Sequence, residues 1–308
     1  MFEEFSGVSN GKVQVANARI QVAYDLISEQ FIKFEIETYS KNDQKAAPDL
    51  ELQEKDLILR DRGYLTTNEI IRHKKAGADF IFRHSFKMLY LDKETYQTID
   101  LYELLKSKQN IDMEVRLNSN PETIVRIVAD PVTQEIADIR KHKAKKELKN
   151  VSGSYLKLLD WSIFITSLEP GNADFKTLLD LYSLRWKIEI IFKNWKSNLK
   201  FDKIQNVSST QLKILLRSRL LIIILIQYIH SIVKNIIKKV FSKYVSLIKL
   251  TNYLSDKLYK INRILKSIKS INITEDNEIQ SVEYYCCYDK RNDRNNFEEE
   301  MIRVFDIK

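Results

Sequence analysis

The chain has 308 residues, 44% of them hydrophobic, with only 6 Gly and 4 Pro, so it can bury a substantial core and is not of low complexity. Its net charge of +8 and pI near 9.1 favour a polyanionic partner, either nucleic acid or an anionic surface. The only cysteines, Cys286 and Cys287, are adjacent, which excludes both a disulfide framework and a CxxC zinc site and suits reduced cytosolic thiols.

Met1 to Phe5 lacks the basic and then apolar order of a secretory signal. Val13 to Tyr24 alternates loosely and Phe31 to Glu37 more regularly, which predicts an antiparallel pair turning near Ser28 and Glu29. The contiguous apolar residues between Asp56 and Asp61 predict a third, more fully buried strand. A helix over Thr67 to Lys75 and a strand over Asp79 to His84 follow. Ile111, Met113, Val115 and Leu117 then alternate with polar residues, Asn118-Ser119-Asn120-Pro121 turns the chain, and Thr123 to Ala129 returns, which predicts a β-hairpin.

Asp138 to Asn150 reads as a very basic helix carrying Arg140, Lys141, Lys143, Lys145, Lys146 and Lys149, either a solvated surface or a phosphate-contacting one. Trp161 to Ser167 reads as a strand. From Ser208 the chain is nearly continuous helix, with Asn272 to Asn296 more polar and loop-like. The apolar run Leu220 to Ile226 reads as a buried helix, too short and too polar at its edges to span a bilayer, so no membrane association is expected. His84 and His230 lack ligand spacing and read as structural.

The most informative segment is Leu181 to Lys196. Drawn as one helix, it places Tyr182, Arg185, Glu189 and Lys196 within an arc of roughly 60°. Leu184, Ile188, Ile191 and Trp195 occupy a neighbouring apolar arc, so one side packs while the other presents an acid between bases. Bases flanking a carboxylate suit phosphoryl transfer, where positioning and charge neutralisation do most of the work. An ordinary amphipathic helix with a solvated Arg-Glu pair accounts for the spacing equally well.

The pattern Tyr182-x2-Arg185-x3-Glu189-x6-Lys196 resembles the Y-R-E-K signature of bacterial insertion-sequence DDE transposases of the insertion-sequence-four family. Asp61-Arg62-Gly63-Tyr64, after the apolar Leu57-Ile58-Leu59, is similar to the sequence in which that family carries its second catalytic Asp. Gly77 to Arg83 and Trp161 to Ser167 extend the likeness, the latter resembling the family's final core strand. It runs from near Lys12 to about Gln205.

The resemblance implies an α/β fold: a ribonuclease-H-like core with a β-rich insertion and a helical C-terminal region. Residues 1–83 correspond to the first part of the core, 84–157 to the insertion with its basic helix, 158–207 to the remainder of the core, and 208–308 to the helical region. It implies a DNA transposase that cleaves and transfers strands at insertion-sequence ends, with Asp61 and Glu189 as catalytic metal ligands for Mg²⁺ or Mn²⁺. Tyr182, Arg185 and Lys196 would contact DNA. Trp161, ordinarily a core residue at a strand start, matches a position that in some relatives lines the pocket around a flipped base.

Implied partners are double-stranded DNA with terminal inverted repeats and a second subunit, a homodimer in a synaptic complex. The implied location is the bacterial cytoplasm, at the nucleoid. One departure is expected: the family's first catalytic Asp belongs in a strand ahead of Lys12, so this copy reads as truncated at its N-terminus. Asp25 matches the second core strand instead. The alternative function is therefore a non-catalytic DNA-binding remnant or repressor of transposition.

Overall fold

The computed structural model describes residues 5, 18–38, 50–148, 150–204, 207–255, 259–268, 276–289, 299 and 301–302. Residues 13–17 of the first predicted strand, Lys149 of the basic helix and Gln205 lie outside the described residues. The chain divides into two compact units, Met1–Pro48 with Trp186–Lys308, and Asp49–Arg185.

The first unit opens with a two-stranded antiparallel sheet, β1 (Ala18–Asp25) and β2 (Gln30–Thr38), in which Ile20 faces Ile36 and Val22 faces Phe34. Asp25 closes the connection, accepting hydrogen bonds from the Ile27 amide (2.9 Å) and the Ser28 hydroxyl (2.5 Å). Partial burial pushes its pKa up, but these bonds outweigh burial and hold the carboxyl below its ordinary range. Both oxygens of Asp25 thus serve the turn.

The second unit is built on a six-stranded mixed sheet. Its elements run β3 (Leu57–Leu59), α1 (Thr67–Ala76), β4 (Asp79–Arg83), β5 (Tyr90–Asp92), α2 (Leu101–Lys108), β6 (Ile111–Leu117), β7 (Asn120–Pro131), α3 (Gln134–Glu147), α4 (Gly153–Leu158), β8 (Trp161–Thr166) and α5 (Phe175–Ser183). The spatial order is β3-β4-β8-β7-β6-β5, with β3 and β4 parallel and every other pair antiparallel. Helix α1 makes the crossover: the Thr66 hydroxyl caps its start, and Gly77, at φ 66°, ends it in the left-handed conformation.

The predicted β3 corrects in one respect. It lies at the sheet edge and its residues are only half-buried, because a contiguous apolar run reads the same on an edge strand as on a central one. Phe80, Phe82, Ile70, Leu105, Val115, Ile127 and Ile165 form the unit's core. Strands β5 to β7, from the segment read as an insertion, extend the sheet that holds β3, β4 and β8.

Arg126 is the buried cation of this sheet. It pairs with both carboxylate oxygens of Asp112 at 2.6 Å and donates to the carbonyls of Leu168 (2.9 Å) and Ala173 (2.8 Å), tying β7 and β6 to the loop that leads into α5. Arg126→Ala strands those two carbonyls and is expected to cost about 2 to 4 kcal/mol. Arg126→Lys should recover little of it, because an ammonium lacks the planar fork. Denaturant unfolding checks this, and a loss below about 1 kcal/mol would contradict it.

The first unit continues with α6 (Trp186–Asn198), α7 (Ser209–Phe241), α8 (Leu247–Ser255), α9 (Tyr259–Ser267) and α10 (Asn277–Cys286). Helix α10 overturns the loop reading of its segment. A capping box between Ser208 and Gln211 starts α7. Its inner face, Leu212, Leu216, Ile223, Ile226, Ile229, Val233 and Ile237, is buried, whereas Leu221 is 68% exposed. The run Leu220 to Ile226 is therefore half buried, and it belongs to a 33-residue helix, longer than the apolar run alone suggests. By length and composition α7 is apolar enough to cross a membrane, with 33% of its most apolar stretch buried inside the protein.

A buried charge cluster crosses this unit. Glu29 meets Lys234 at 2.8 Å and Lys187 at 3.7 Å, and His230 shares a 3.1 Å hydrogen bond with the Val245 carbonyl. Burial, reinforced by Lys187, pushes the His230 pKa down to about 4, and burial with Arg62 nearby does the same to His84 in the other unit. Between about pH 6.5 and 4 the unfolded chain takes up protons that the folded chain refuses, so stability falls as pH drops through that window. Denaturant midpoints at pH 7.5 and 5 should differ in that direction, and less so in His230→Gln with His84→Gln. Equal midpoints in the native chain would contradict the burial of neutral imidazoles.

Candidate active site

Strand register gathers Asp61, Arg83 and Trp161 at one end of the second unit's sheet. Because β3 and β4 are parallel, Asp61 just beyond β3 and Arg83 at the end of β4 point to the same edge. Arg83 pairs with Phe164 on antiparallel β8, and Trp161 begins β8 opposite Pro131 at the end of β7, so Trp161 joins them.

Asp61 is exposed and caps a short 3-10 turn, Arg62–Tyr64, accepting the Arg62 amide at 2.8 Å on one oxygen. That cap fixes the carboxylate relative to the strand. Trp161 is half-buried, donates its indole N–H to the Gln109 carbonyl (2.8 Å) and meets Tyr102 edge-on. The Arg140 guanidinium donates to the Trp161 carbonyl (3.1 Å) and the Ser162 hydroxyl (3.0 Å), which locks α3 against the start of β8.

Together Arg62, Arg83, Arg140, Phe86, Tyr155 and Trp161 line a cleft of about 290 Å³. Its electrostatics are unbalanced. Burial lowers the Arg83 pKa, and the neighbouring Arg62 and Arg185 lower it further against the opposing effects of Tyr182 and Asp61. Burial and the charge of Arg83 push Arg140 down to about 10, still far above neutrality. Guanidinium groups held together under partial desolvation repel one another, and an anion relieves that cost.

Tyr182 is buried on α5, its ring 5.5 Å from Phe164, with the Arg185 guanidinium also 5.5 Å from its centroid. Burial raises its pKa, with Arg185 opposing and Asp61 adding to the rise. The single-helix reading of Leu181 to Lys196 does not hold. Helix α5 stops at Ser183, hydrogen bonds at Leu184 and Arg185 span three residues instead of four, and α6 begins at Trp186. An unbroken 3.6-residue period cannot reveal such a break, since both halves keep helical spacing across it.

Glu189 and Lys196 belong to α6 in the other unit. Seven residues apart, they share one helix face; Glu189 is half-buried and Lys196 exposed. The opposite side carries buried Ile191 and Trp195, as the apolar arc predicts, with Ile188 partly buried. Lys187, which the sequence left unmarked, is buried and paired with Glu29. Arg140 belongs to the basic helix for which phosphate contact is one of two readings, whereas the sequence gives Arg62 and Arg83 no role. The available signal was that Arg83 follows a strand end just as Asp61 does.

The family match decides the identity of the fold's lineage: a family described as the transposase DDE domain matches residues 3–225. The chain belongs to the DDE-domain transposase family. It is 29% identical over 240 residues to the transposase for insertion sequence element IS231B of Bacillus thuringiensis subsp. berliner, covering 70% of this chain and 50% of that protein. It is also 27% identical over 310 aligned residues to the transposase for IS1151 of Clostridium perfringens, covering 87% of this chain and 64% of the relative. A putative transposase InsL for IS186A of Escherichia coli is 26% identical over 205 residues. The chain spans about half to two thirds of the length of the first two relatives.

A DDE domain in general works with a divalent cation. The candidate donors here, the carboxylates of Asp61 and Glu189, are hard oxygen ligands and fit such an ion in chemistry. Among the described residues no three His, Cys, Asp or Glu side chains group closely enough to hold an ion by themselves.

The arginine cleft makes a prediction that needs no DNA. Sulfate added at constant ionic strength should raise the unfolding midpoint of this transposase-family chain, and Arg83→Gln should be less responsive while gaining stability without sulfate. Thermal unfolding reads both effects. Equal responses would mean that the guanidinium cluster does not bind anions.

Proposed function

We infer that this chain acts on DNA as a transposase, in metal-dependent strand cleavage and transfer at insertion-sequence ends, with a ribonuclease-H-like core interrupted by the 84–157 segment. One observation carries the reading: in a chain of the DDE family, a fixed carboxylate, Asp61, ends its strand beside a desolvated arginine cluster and an aromatic-walled cleft. The parallel β3-α1-β4 crossover supports the fold assignment.

In this reading Asp61 and Glu189 hold Mg²⁺ or Mn²⁺, which when bound supplies Lewis-acid charge at the scissile phosphate. Arg62 and Arg83 neutralise the backbone phosphates nearest the cut, and Tyr182 orients Arg185 for the same task. Trp161 stacks on a base extruded from the DNA end, a contact of about 1 to 3 kcal/mol. Lys196 and the exposed bases of α3 follow the flanking duplex. The partners are terminal inverted-repeat DNA and a second copy of the chain, in the cytoplasm at the nucleoid.

A second reading is DNA binding without cleavage, for which the arginine-lined cleft alone would suffice. Incubating the full chain with duplexes bearing its element's ends, with and without Mg²⁺ or Mn²⁺, separates the two. Metal-dependent nicking that Asp61→Asn and Glu189→Gln each abolish, with end binding retained, supports catalysis. Salt-sensitive binding with no nicking selects the second reading, and nicking indifferent to both substitutions removes the assigned ligands.

A further inference from the structure

Far along the chain from the arginine cleft, the helices α8 to α10 carry an unusual concentration of exposed tyrosine. Tyr284 and Tyr285 on α10 are 77% and 62% exposed, and Tyr259 at the start of α9 is 51% exposed. Tyr284 and Tyr285 are ordered against one another. Tyr285 lies nearly parallel to Tyr253 of α8, at 18° between ring planes and 6.3 Å between centroids, and Tyr284 meets Tyr285 edge-on at 4.8 Å.

Cations are interleaved with the rings. The Lys260 ammonium sits 3.8 Å from the Tyr253 ring centroid and donates to the Tyr253 carbonyl at 3.1 Å, and the Arg263 guanidinium lies 4.8 Å over Tyr259. Glu278 accepts from Arg263 (3.1 Å) and from the Tyr253 hydroxyl (3.3 Å), bracing both against α10. Packing alone gives no reason for this arrangement, since Tyr284 and Tyr285 bury little while the core of the same helix is made by Ile279, Val282 and Cys286. Exposed flat rings with cations on the neighbouring rings are what an unpaired nucleic-acid strand uses: bases stack on the rings and phosphates meet the cations. A duplex hides its base faces and gains little from such a surface.

We propose that the tyrosine-cation face of α8, α9 and α10 binds single-stranded DNA by base stacking on Tyr284 and Tyr285. This site is separate from the assignment of Asp61 and Glu189. It would hold a strand freed by cleavage or fraying at a DNA end.

The test is fluorescence anisotropy of a labelled oligothymidylate with the full chain, beside a blunt duplex as control. Tyr284→Ala with Tyr285→Ala should weaken single-strand binding about tenfold or more, as expected from loss of one or two stacked bases. Tyr284→Phe with Tyr285→Phe should retain it, because the ring and not the hydroxyl does the work. Lys260→Gln should lower the salt dependence, and duplex binding should be unchanged throughout. Unchanged single-strand affinity in the alanine variant, an equal loss in the phenylalanine variant, or a parallel loss of duplex binding would each overturn the proposal. So would loss of self-association by light scattering with single-strand binding intact, which would mark the face as a contact between copies. Failure of metal-dependent nicking would leave this result unaffected.

Discussion

Strand direction fixes the candidate site of the second unit. Parallel pairing of β3 with β4, and antiparallel pairing of β4 with β8, put a carboxylate, two arginines and an indole at a single end of the sheet although they are separated by up to a hundred residues of sequence. The sheet's own hydrogen bonds and its phenylalanine core fix that end, so the polar groups need not find one another. Pre-organised charge of this kind is what phosphoryl chemistry requires, because it costs no reorganisation when the substrate arrives.

Such a site is held at the expense of stability. Arg83 and Arg140 are partly desolvated beside like charges, an arrangement that an isolated folding unit has no reason to keep. The remainder of the unit offsets it with well-satisfied polar interactions. Arg126 makes four hydrogen bonds, and Glu69 pairs with Arg60 at 2.7 Å and Arg72 at 2.8 Å where α1 meets β3. The contrast between Arg126, paired with a carboxylate, and Arg83 and Arg140, set beside other guanidinium groups, is sharper than anything overall charge shows.

Much of this was legible in the sequence, for physical reasons. Alternation in Ile111 to Leu117, the Asn-Pro turn and the helical pattern of Thr67 to Lys75 are local signals, and local signals survive folding. Asp61 and Trp161 stand out through resemblance, and both lie at the same end of the sheet. Three features were not legible. The break at Leu184 and Arg185 keeps helical spacing on both sides, the edge position of β3 is a property of its neighbours, and the outer face of α7 carries the same Ile and Leu residues as its inner face. Pairing across distance, as in Arg126 with Asp112 or Glu29 with Lys187, leaves no mark in a single chain.

The proposed function puts DNA at the sheet end that carries Asp61, Arg83 and Trp161. A crystal structure of the chain bound to a duplex carrying its element's end tests it most directly. The expected complex has a backbone phosphate within hydrogen-bond distance of Arg62 or Arg83 and an unpaired base against the Trp161 indole. A complex in which the DNA lies elsewhere, with the arginine cleft filled by solvent, would contradict it.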